Sequence, residues 1–148
     1  PLARLIEQSQ TVALYRHVGF EAPTARMIEY LTEIGVTIAL PRITADAGLE
    51  FRLVSSTDML VTGFKDIPEP DESCALAEPD LIIAPLVAFD RSLHRLGQGG
   101  GHYDRSFARY PDAPRIGLAW SVQEADEIPT ETHDVPLHMI VTECEIIE

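Results

Sequence analysis

The segment RLGQGGGHYDR, residues 95–105, carries the residue types in this chain that are best suited to bind a phosphate group. Four of the five residues from 97 to 101 are glycine, and Arg95 and Arg105 flank them. A glycine held in one conformation costs about 0.5–1 kcal/mol relative to alanine, so a plain connector would not need four. Glycines after a strand let backbone N–H groups approach an anion, and the start of a following helix adds its positive dipole end. The segment therefore predicts a phosphate-binding loop, and the alternative is a tight strand-to-helix turn with solvated arginines.

The spacing of these glycines does not identify the phosphate compound. It matches neither GxxxxGK followed by Ser or Thr nor GxGxxG with an acid about 20 residues further on. The basic residues of the chain are nevertheless concentrated around the loop, where residues 91–115 contain five arginines: Arg91, Arg95, Arg105, Arg109 and Arg115. Such a local cluster of cations favours a small anionic ligand.

A strand before the loop and a helix after it must position these residues. DLIIAPLVAFD (80–90) is a continuous apolar stretch of strand type, and we expect 80–85 to be a buried central strand. HYDRSFARY has the pattern of a helix that begins near His102, just beyond Gly101. The glycine loop is thus expected between the end of a buried strand and the start of a helix, where phosphate groups bind.

The remainder of the chain predicts further elements of an α/β fold. A strand at 11–15, a helix from Thr24 to Gly35 and a strand at 36–41 follow the order of a parallel crossover. The other expected elements are an edge strand at 50–54, a surface loop at 63–79, and strands at 115–120 and 138–143. We therefore expect a three-layer α/β domain with a mainly parallel sheet of five or six strands and helices on both faces.

Length and composition predict one domain over residues 1–148. A chain of 148 residues with 45% hydrophobic content can bury a sizeable core. Residues 2–9 have the pattern of the tail of a helix whose beginning is missing. Cys74 and Cys144 have no CxxC spacing or flanking histidine cluster, so they predict neither a zinc site nor a disulfide framework. We expect a monomer in the reducing cytoplasm.

The charge excludes some classes of partner. With a formal net charge of −13 and only 11 Lys and Arg residues, the chain lacks the dense basic face that nucleic-acid binding needs, and it is repelled by anionic membrane surfaces. Its sequence also contains no stretch of 18 consecutive apolar residues, the minimum for a membrane span. We therefore expect no nucleic-acid or membrane partner.

Ordered sequence blocks over most of the chain resemble the 5-formyltetrahydrofolate cyclo-ligase family (5,10-methenyltetrahydrofolate synthetase). The glycine loop after DLIIAPLVAFD is similar to the signature of that family. The other similar blocks are ALYRHVGFEAPT (13–24), LPRI (40–43), GFKDIPEP (63–70), IGLAW and IPTETHDVPL within 116–137, and VTE (141–143). The resemblance implies a three-layer sheet like that of the sugar-phosphate isomerases and CoA transferases.

The resemblance also implies a reaction and its co-substrates. The family closes 5-formyltetrahydrofolate to 5,10-methenyltetrahydrofolate with ATP and magnesium, releasing ADP and phosphate. The resemblance implies that Arg95 and Tyr103 are catalytic. It implies that the ATP phosphates are held by Arg95, Leu96, Gly97, Gln98, Gly99, Gly100, Gly101, His102 and Tyr103.

Further residues carry over from the resemblance as folate and magnesium ligands. Glu21, Gln98 and His102 fall on folate-contacting positions, and a carboxylate such as Glu21 can accept hydrogen bonds from the N–H groups of a pterin. Asp104 and Asp134 fall on the magnesium positions, and magnesium prefers carboxylate oxygens together with phosphate and water. We expect neither aspartate to be a partner in the core.

The sequence departs from the family pattern in three places. Relatives begin with a helix carrying a Lys or Arg pair for the ATP phosphates, for which Arg4 is the only candidate here. Some relatives have a lysine at the position of Gly100, and His102 stands where the family usually has an aromatic residue. A histidine keeps a flat ring but titrates near neutral pH.

Two other functions are compatible with these observations. One is a folate- or nucleotide-binding module without turnover, which would show no folate-dependent ATP hydrolysis. The other is a sugar-phosphate isomerase, which needs a general base beside the loop and no ATP.

Overall fold

The computed structural model describes residues 1–46, 48–55 and 59–148. The helices are α1 (Leu2–Gln8), α2 (Ala25–Glu33) and α3 (His102–Arg109). The strands are β1 (Thr11–Ala13), β2 (Thr37–Ile43), β3 (Leu49–Leu53), β4 (Leu60–Thr62), β5 (Pro68–Pro70), β6 (Leu81–Ala84), β7 (Ala88–Phe89), β8 (Arg95–Leu96), β9 (Arg115–Leu118), β10 (Met139–Val141) and β11 (Ile146–Ile147). Within these described ranges, no helix has the length and apolar character to cross a membrane.

Seven of the strands form one sheet in the order β11-β10-β9-β6-β1-β2-β3. The five inner strands are parallel to their neighbours, and β3 and β11 add antiparallel edges. The register places Ala13 opposite Ala39 on one side and Ile82 on the other. The mainly parallel sheet is confirmed, and the strands beyond the expected number come from short pairings at the edges.

The strand β6 occupies the middle of the sheet, and all four of its side chains are buried. A strand covered on both faces excludes water from each face and therefore consists of apolar residues throughout. The expectation of a buried central strand at 80–85 is confirmed for Leu81–Ala84, whereas Asp80 is exposed. The apolar run nevertheless ends as a strand at Ala84, because Pro85 follows and cannot donate to a sheet hydrogen bond.

Side chains alternate between the two faces of the sheet and form two hydrophobic clusters. In β1, Val12 contributes to the cluster under α1 and α2, where it joins Ile6 and Leu31. Ala13 points to the opposite face, where Phe107 of α3 is buried. This alternation is the two-residue period of a strand, and it gives the three layers expected from the sequence.

Two short hairpins project from the main sheet and were not expected as hairpins. The first hairpin pairs β7 with β8, and the second pairs β4 with β5. The interpretation of 63–79 as loop throughout is therefore wrong at its start, where Pro68–Pro70 form a strand. Proline is tolerated there because this two-stranded sheet leaves one edge of each strand free of backbone pairing.

Candidate active site

A cleft of about 890 Å³ lies where β1, β2 and β6 end, and it collects every residue proposed for the site. Its lining includes Glu21, all residues from Arg95 to Asp104, and Asp134. In a parallel sheet the carboxyl ends of neighbouring strands share one edge, and ligands bind in the crevice outside it. The cleft also has the size of a small-molecule site.

The glycine loop, residues 97–101, presents free backbone donors to this cleft. Gly99 and Gly101 have φ angles of 90° and 63°, in the left-handed region that glycine adopts without steric cost. Gly101 is the N-cap of α3, so the helix begins at His102 as expected. No described residue accepts a hydrogen bond from the N–H groups of residues 97–101. Five successive free N–H groups before a helix suit an anion such as a phosphate.

Arg95 lies beneath the loop as a buried cation. Its side chain is 5% exposed, and its Nη2 donates to a carboxylate oxygen of Asp104 at 3.0 Å. The guanidinium carbon lies 5.6 Å and 5.2 Å from the ring centroids of Tyr103 and Phe107. Its Nε is buried without an acceptor among the described residues. The ion pair with Asp104 therefore leaves the hydrogen-bonding capacity of the guanidinium unsaturated.

The hydroxyl of Tyr103 is buried in the cleft wall and has no partner among the described residues. Burial raises its pKa well above the ordinary tyrosine value, and the negative charge of Glu21 adds to the rise. The positive charge of Arg95 opposes the rise without cancelling it. Tyr103 therefore stays protonated at neutral pH and can donate a hydrogen bond to a ligand oxygen.

Asp104 and Asp134 lie close together, but in different environments. Besides the ion pair with Arg95, Asp104 accepts the N–H of Val135 at 3.2 Å, so the residue after Asp134 touches the first carboxylate. Asp134 accepts the N–H of Glu131 at 2.7 Å and is more exposed. The expectation that neither aspartate is a core partner is wrong for Asp104, because it neutralises a buried guanidinium.

These two carboxylates nevertheless fit a magnesium ion. Magnesium in phosphate sites is usually held by one or two carboxylates, with phosphate oxygens and water as its other ligands. Among the described residues there is no group of three or more acidic, histidine or cysteine side chains that could hold a metal by itself. The donor set therefore suits a metal that arrives with phosphate. The role of Asp104 and Asp134 as ligands stays a prediction.

Glu21 links the loop after β1 to the glycine loop. One oxygen accepts the N–H of Val18 at 2.8 Å, and the other accepts from the Gln98 side chain at 3.2 Å. Burial raises the pKa of Glu21, although the Val18 hydrogen bond and the charge of His17 act in the opposite direction. Two of the three residues proposed as folate contacts, Glu21 and Gln98, thus meet each other across the cleft.

Comparison with known proteins identifies the family. Residues 2–143 match the model of the 5-formyltetrahydrofolate cyclo-ligase family. The chain belongs to this family. The 5-formyltetrahydrofolate cyclo-ligases of Haemophilus influenzae and Escherichia coli K12 are 36% and 32% identical to it. The alignments cover 93% and 97% of this chain and 79% and 83% of those proteins. As a member of this family, the protein is an enzyme, a cyclo-ligase.

Solved structures agree with the fold. The 5,10-methenyltetrahydrofolate synthetase of Aquifex aeolicus superposes with a TM-score of 0.81 at 28% identity, over 97% of this chain and 80% of that one. The corresponding protein of Mycoplasma pneumoniae gives 0.70 at 24% identity, over 93% and 79% of the two chains. The three-layer α/β fold of the cyclo-ligase is therefore confirmed.

The cyclo-ligase cleft also contains residues that the sequence analysis missed. Arg16, Phe64 and Lys65 line it and are exposed. Phe64 and Lys65 come from the second hairpin, which was interpreted as a surface loop. One sequence signal was available, because Lys65 is the only lysine of the chain.

Proposed function

We propose that this enzyme closes 5-formyltetrahydrofolate to 5,10-methenyltetrahydrofolate, using ATP with magnesium and releasing ADP and phosphate. The observation that supports it most is the run of N–H groups at 97–101 without a described acceptor, in the same cleft as the buried guanidinium of Arg95. A neutral ligand would not need this arrangement, whereas a triphosphate would use both parts. The names of the relatives supply the folate.

The reaction needs a leaving group at the formyl carbon. The formyl oxygen on folate N5 attacks the γ-phosphorus of ATP, and the bond from that phosphorus to the ADP oxygen breaks. Folate N10 then attacks the activated formyl carbon, loses its proton, and expels the oxygen as phosphate. The protein mainly has to place the reactants and stabilise phosphate charge.

The residues of this chain can be assigned to those tasks. The N–H groups of 97–101 and the guanidinium of Arg95 would bind phosphate oxygens. The neutral Tyr103 hydroxyl would donate to an oxygen on the transferred group. Glu21 would accept hydrogen bonds from pterin N–H groups once Gln98 releases it. His102 lines the same cleft and would contact the folate with Gln98.

Asp104 and Asp134 would hold the magnesium ion, which when bound neutralises phosphate charge. Two carboxylates would otherwise repel a triphosphate in the same cleft. In the absence of ligand, Asp104 keeps the guanidinium of Arg95 in place. We further propose that the enzyme acts as a monomer in the cytoplasm, as its charge and its free Cys74 and Cys144 support.

The test is an absorbance assay for methenyl-folate formation with purified protein, run with and without ATP and magnesium. We expect product only when both are present, with one ADP released per product. Product without ATP would contradict the role of the glycine loop. Binding of ATP and folate with no product would instead support the alternative of a binding module without turnover.

A further inference from the structure

Two cations face the cleft without a carboxylate partner. Arg16 and Lys65 both line it, and no acidic side chain lies within ion-pair distance of either in the described ranges. Arg16 also makes no hydrogen bond there, and the Nζ of Lys65 lies only near the Phe64 ring, 5.4 Å from its centroid. In contrast, Arg95 in the same cleft is neutralised by Asp104.

Among the described residues, other cations such as Arg4, Arg26 and Arg109 also lack an ion-pair partner, but they do not line the cleft. Acidic residues outnumber Lys and Arg by 24 to 11. Arg42, Arg52 and Arg91 each form an ion pair with a nearby glutamate. Two cleft cations that lack such partners keep their charge available for an anion that enters from solution.

The backbone at Lys65 supports a role for this side chain. Lys65 and Asp66 have φ angles of 53° and 60°, at the tip of the second hairpin. The left-handed conformation costs a residue other than glycine about 1 kcal/mol. Glycine would remove this cost, and its absence indicates that a side chain is useful at the tip.

The position of the two cations separates them from the glycine loop. Arg16 follows β1, five residues before Glu21, the proposed pterin contact. Lys65 belongs to the second hairpin, which Arg42 of β2 holds through Glu69 and the carbonyl of Pro70. Because β1 and β2 are neighbours in the sheet, both cations belong to the part of the cleft that we assign to the folate.

We propose that Arg16 and Lys65 bind the carboxylates at the glutamate end of the folate. This inference rests on the proposed function, since it takes the substrate from there. The glutamate end carries an α- and a γ-carboxylate, and each added glutamate brings one more. Two separate, exposed cations on flexible side chains suit such a chain of carboxylates better than the compact triphosphate, for which the glycine loop is available.

The experiment compares folates with and without glutamate. The ligands are 5-formyltetrahydropteroate, which lacks the glutamate, and 5-formyltetrahydrofolate with one or three glutamates. The variants are Arg16→Gln, Lys65→Gln and the double variant. Arg26→Gln is the matched control, because Arg26 is also exposed and without a described partner but does not line the cleft. Affinities for each folate and for ATP are measured by calorimetry at low and high salt.

We expect wild type to bind the triglutamate more tightly than the monoglutamate, and the monoglutamate more tightly than the pteroate. The double variant should lose about tenfold in affinity for the monoglutamate and more for the triglutamate, since each exposed pair contributes up to about a factor of five. Its pteroate and ATP affinities should stay within about twofold of wild type. Added salt should weaken glutamate-dependent binding in wild type only.

Two results would overturn the assignment. Equal loss of pteroate and monoglutamate affinity would place the cations at the pterin, and loss of ATP affinity would place them at the phosphates. If the proposed folate substrate itself is wrong, the result is different, because wild type would then bind none of the three folates. Binding of all three with equal affinity would refute the glutamate site alone.

Discussion

Each of the two hairpins places one cation at the cleft, and the two cations differ in burial and in ion pairing. In the first hairpin, β7–β8, strand β8 begins with Arg95, whose side chain is 5% exposed and paired with Asp104. The second hairpin, β4–β5, holds Lys65 at its tip, exposed and without an acidic partner among the described residues. A buried, paired cation is fixed before ligand arrives, whereas an exposed one adjusts to it.

The interactions that hold the two hairpins in place also differ in burial. Asp90 of the first hairpin is 3% exposed and accepts N–H groups from Ser92, His94 and Ile128 at 2.9–3.1 Å. The second hairpin is held by the partly exposed ion pair of Arg42 with Glu69, at 2.9 Å. Changes in the first hairpin should therefore affect both stability and reaction, and changes in the second mainly ligand choice.

The largest effect is expected from Arg95→Gln. It removes the cation beneath the glycine loop and leaves Asp104 to repel phosphate, so we expect turnover to fall about 1,000-fold. Turnover at saturating ATP is the measurement. Arg95→Lys is the control, because it keeps the charge but not the paired geometry. Turnover within tenfold of wild type for Arg95→Gln would place the phosphates elsewhere.

Asp90→Ala should cost about 3 kcal/mol of unfolding free energy, because three N–H groups lose their acceptor. Burial tends to raise the pKa of Asp90, but the hydrogen bonds from Ile128 and His94 outweigh it and the pKa lies below its ordinary value. Because its pKa is lowered in the folded state, Asp90 stabilises the fold fully at pH values above its pKa in the unfolded chain. This stabilisation is lost as the pH falls through the pKa of the folded state.

Urea unfolding of wild type and Asp90→Ala at neutral and acidic pH measures this effect. The difference in unfolding free energy between the two proteins should be smaller at acidic pH than at neutral pH. Asp112→Ala, at an exposed acid, is the control and should change stability by under about 0.5 kcal/mol. A difference that is independent of pH would show that the Asp90 charge is not the anchor of the first hairpin.

Asp104→Asn and Asp134→Asn should separate the structural from the metal-binding role of the two acids. Both should raise several-fold the magnesium concentration for half-maximal activity. Only Asp104→Asn should also lower the unfolding free energy, by about 2 kcal/mol, because Arg95 loses its ionic partner. Unfolding without magnesium and titration of activity with magnesium measure the two effects. Equal stability of the two variants would contradict a buried Arg95–Asp104 pair.

Glu21→Gln should weaken folate binding about tenfold and leave ATP binding nearly unchanged. Because burial raises the pKa of Glu21, protonation starts at a higher pH than for an exposed glutamate. As the pH is lowered, wild type should therefore begin to lose folate affinity at a higher pH than an exposed glutamate would cause. The folate affinity of the variant should not show this pH dependence. Separate titrations of each ligand across pH are the measurement. Equal loss of both affinities would indicate a structural role.

The smallest effect is expected from Arg42→Gln, which detaches the second hairpin from β2. The variant should lose about 1 kcal/mol of unfolding free energy. A double-mutant cycle with Glu69→Gln should assign most of this loss to the coupling energy between the two side chains. Denaturant unfolding of the four proteins supplies the cycle. A coupling near zero would mean that the ion pair does not hold this hairpin, so the contrast between the two anchors would be even larger.

The sequence predicted the parallel layers because periodicity reports burial directly. The strand at 80–85 was recognised since four apolar residues in succession need cover on both faces. The helix start at His102 followed from the glycines before it. The hairpins were not recognised, because strands of two or three residues give no usable period and Pro68 and Pro70 are typical of loops.

Side-chain pairing within the site could not be read from spacing. Arg95 and Asp104 are nine residues apart across a loop, a separation that belongs to no helix or strand period. Asp104 was therefore expected only as a metal ligand, and its ion pair was missed. Arg16 and Lys65 were missed because their positions in the sequence do not suggest a ligand site. Arg16 follows a strand, and Lys65 lies in a segment with many acids.

The ring of His102 occupies the space that a side chain at position 100 would need. A Cβ added to Gly100 would lie 2.5–2.6 Å from two atoms of this ring. A lysine there, as the family resemblance implies for some relatives, therefore requires the His102 ring to turn away. The two departures from the family pattern are thus coupled through this contact: a side chain at position 100 and the present orientation of the His102 ring exclude each other.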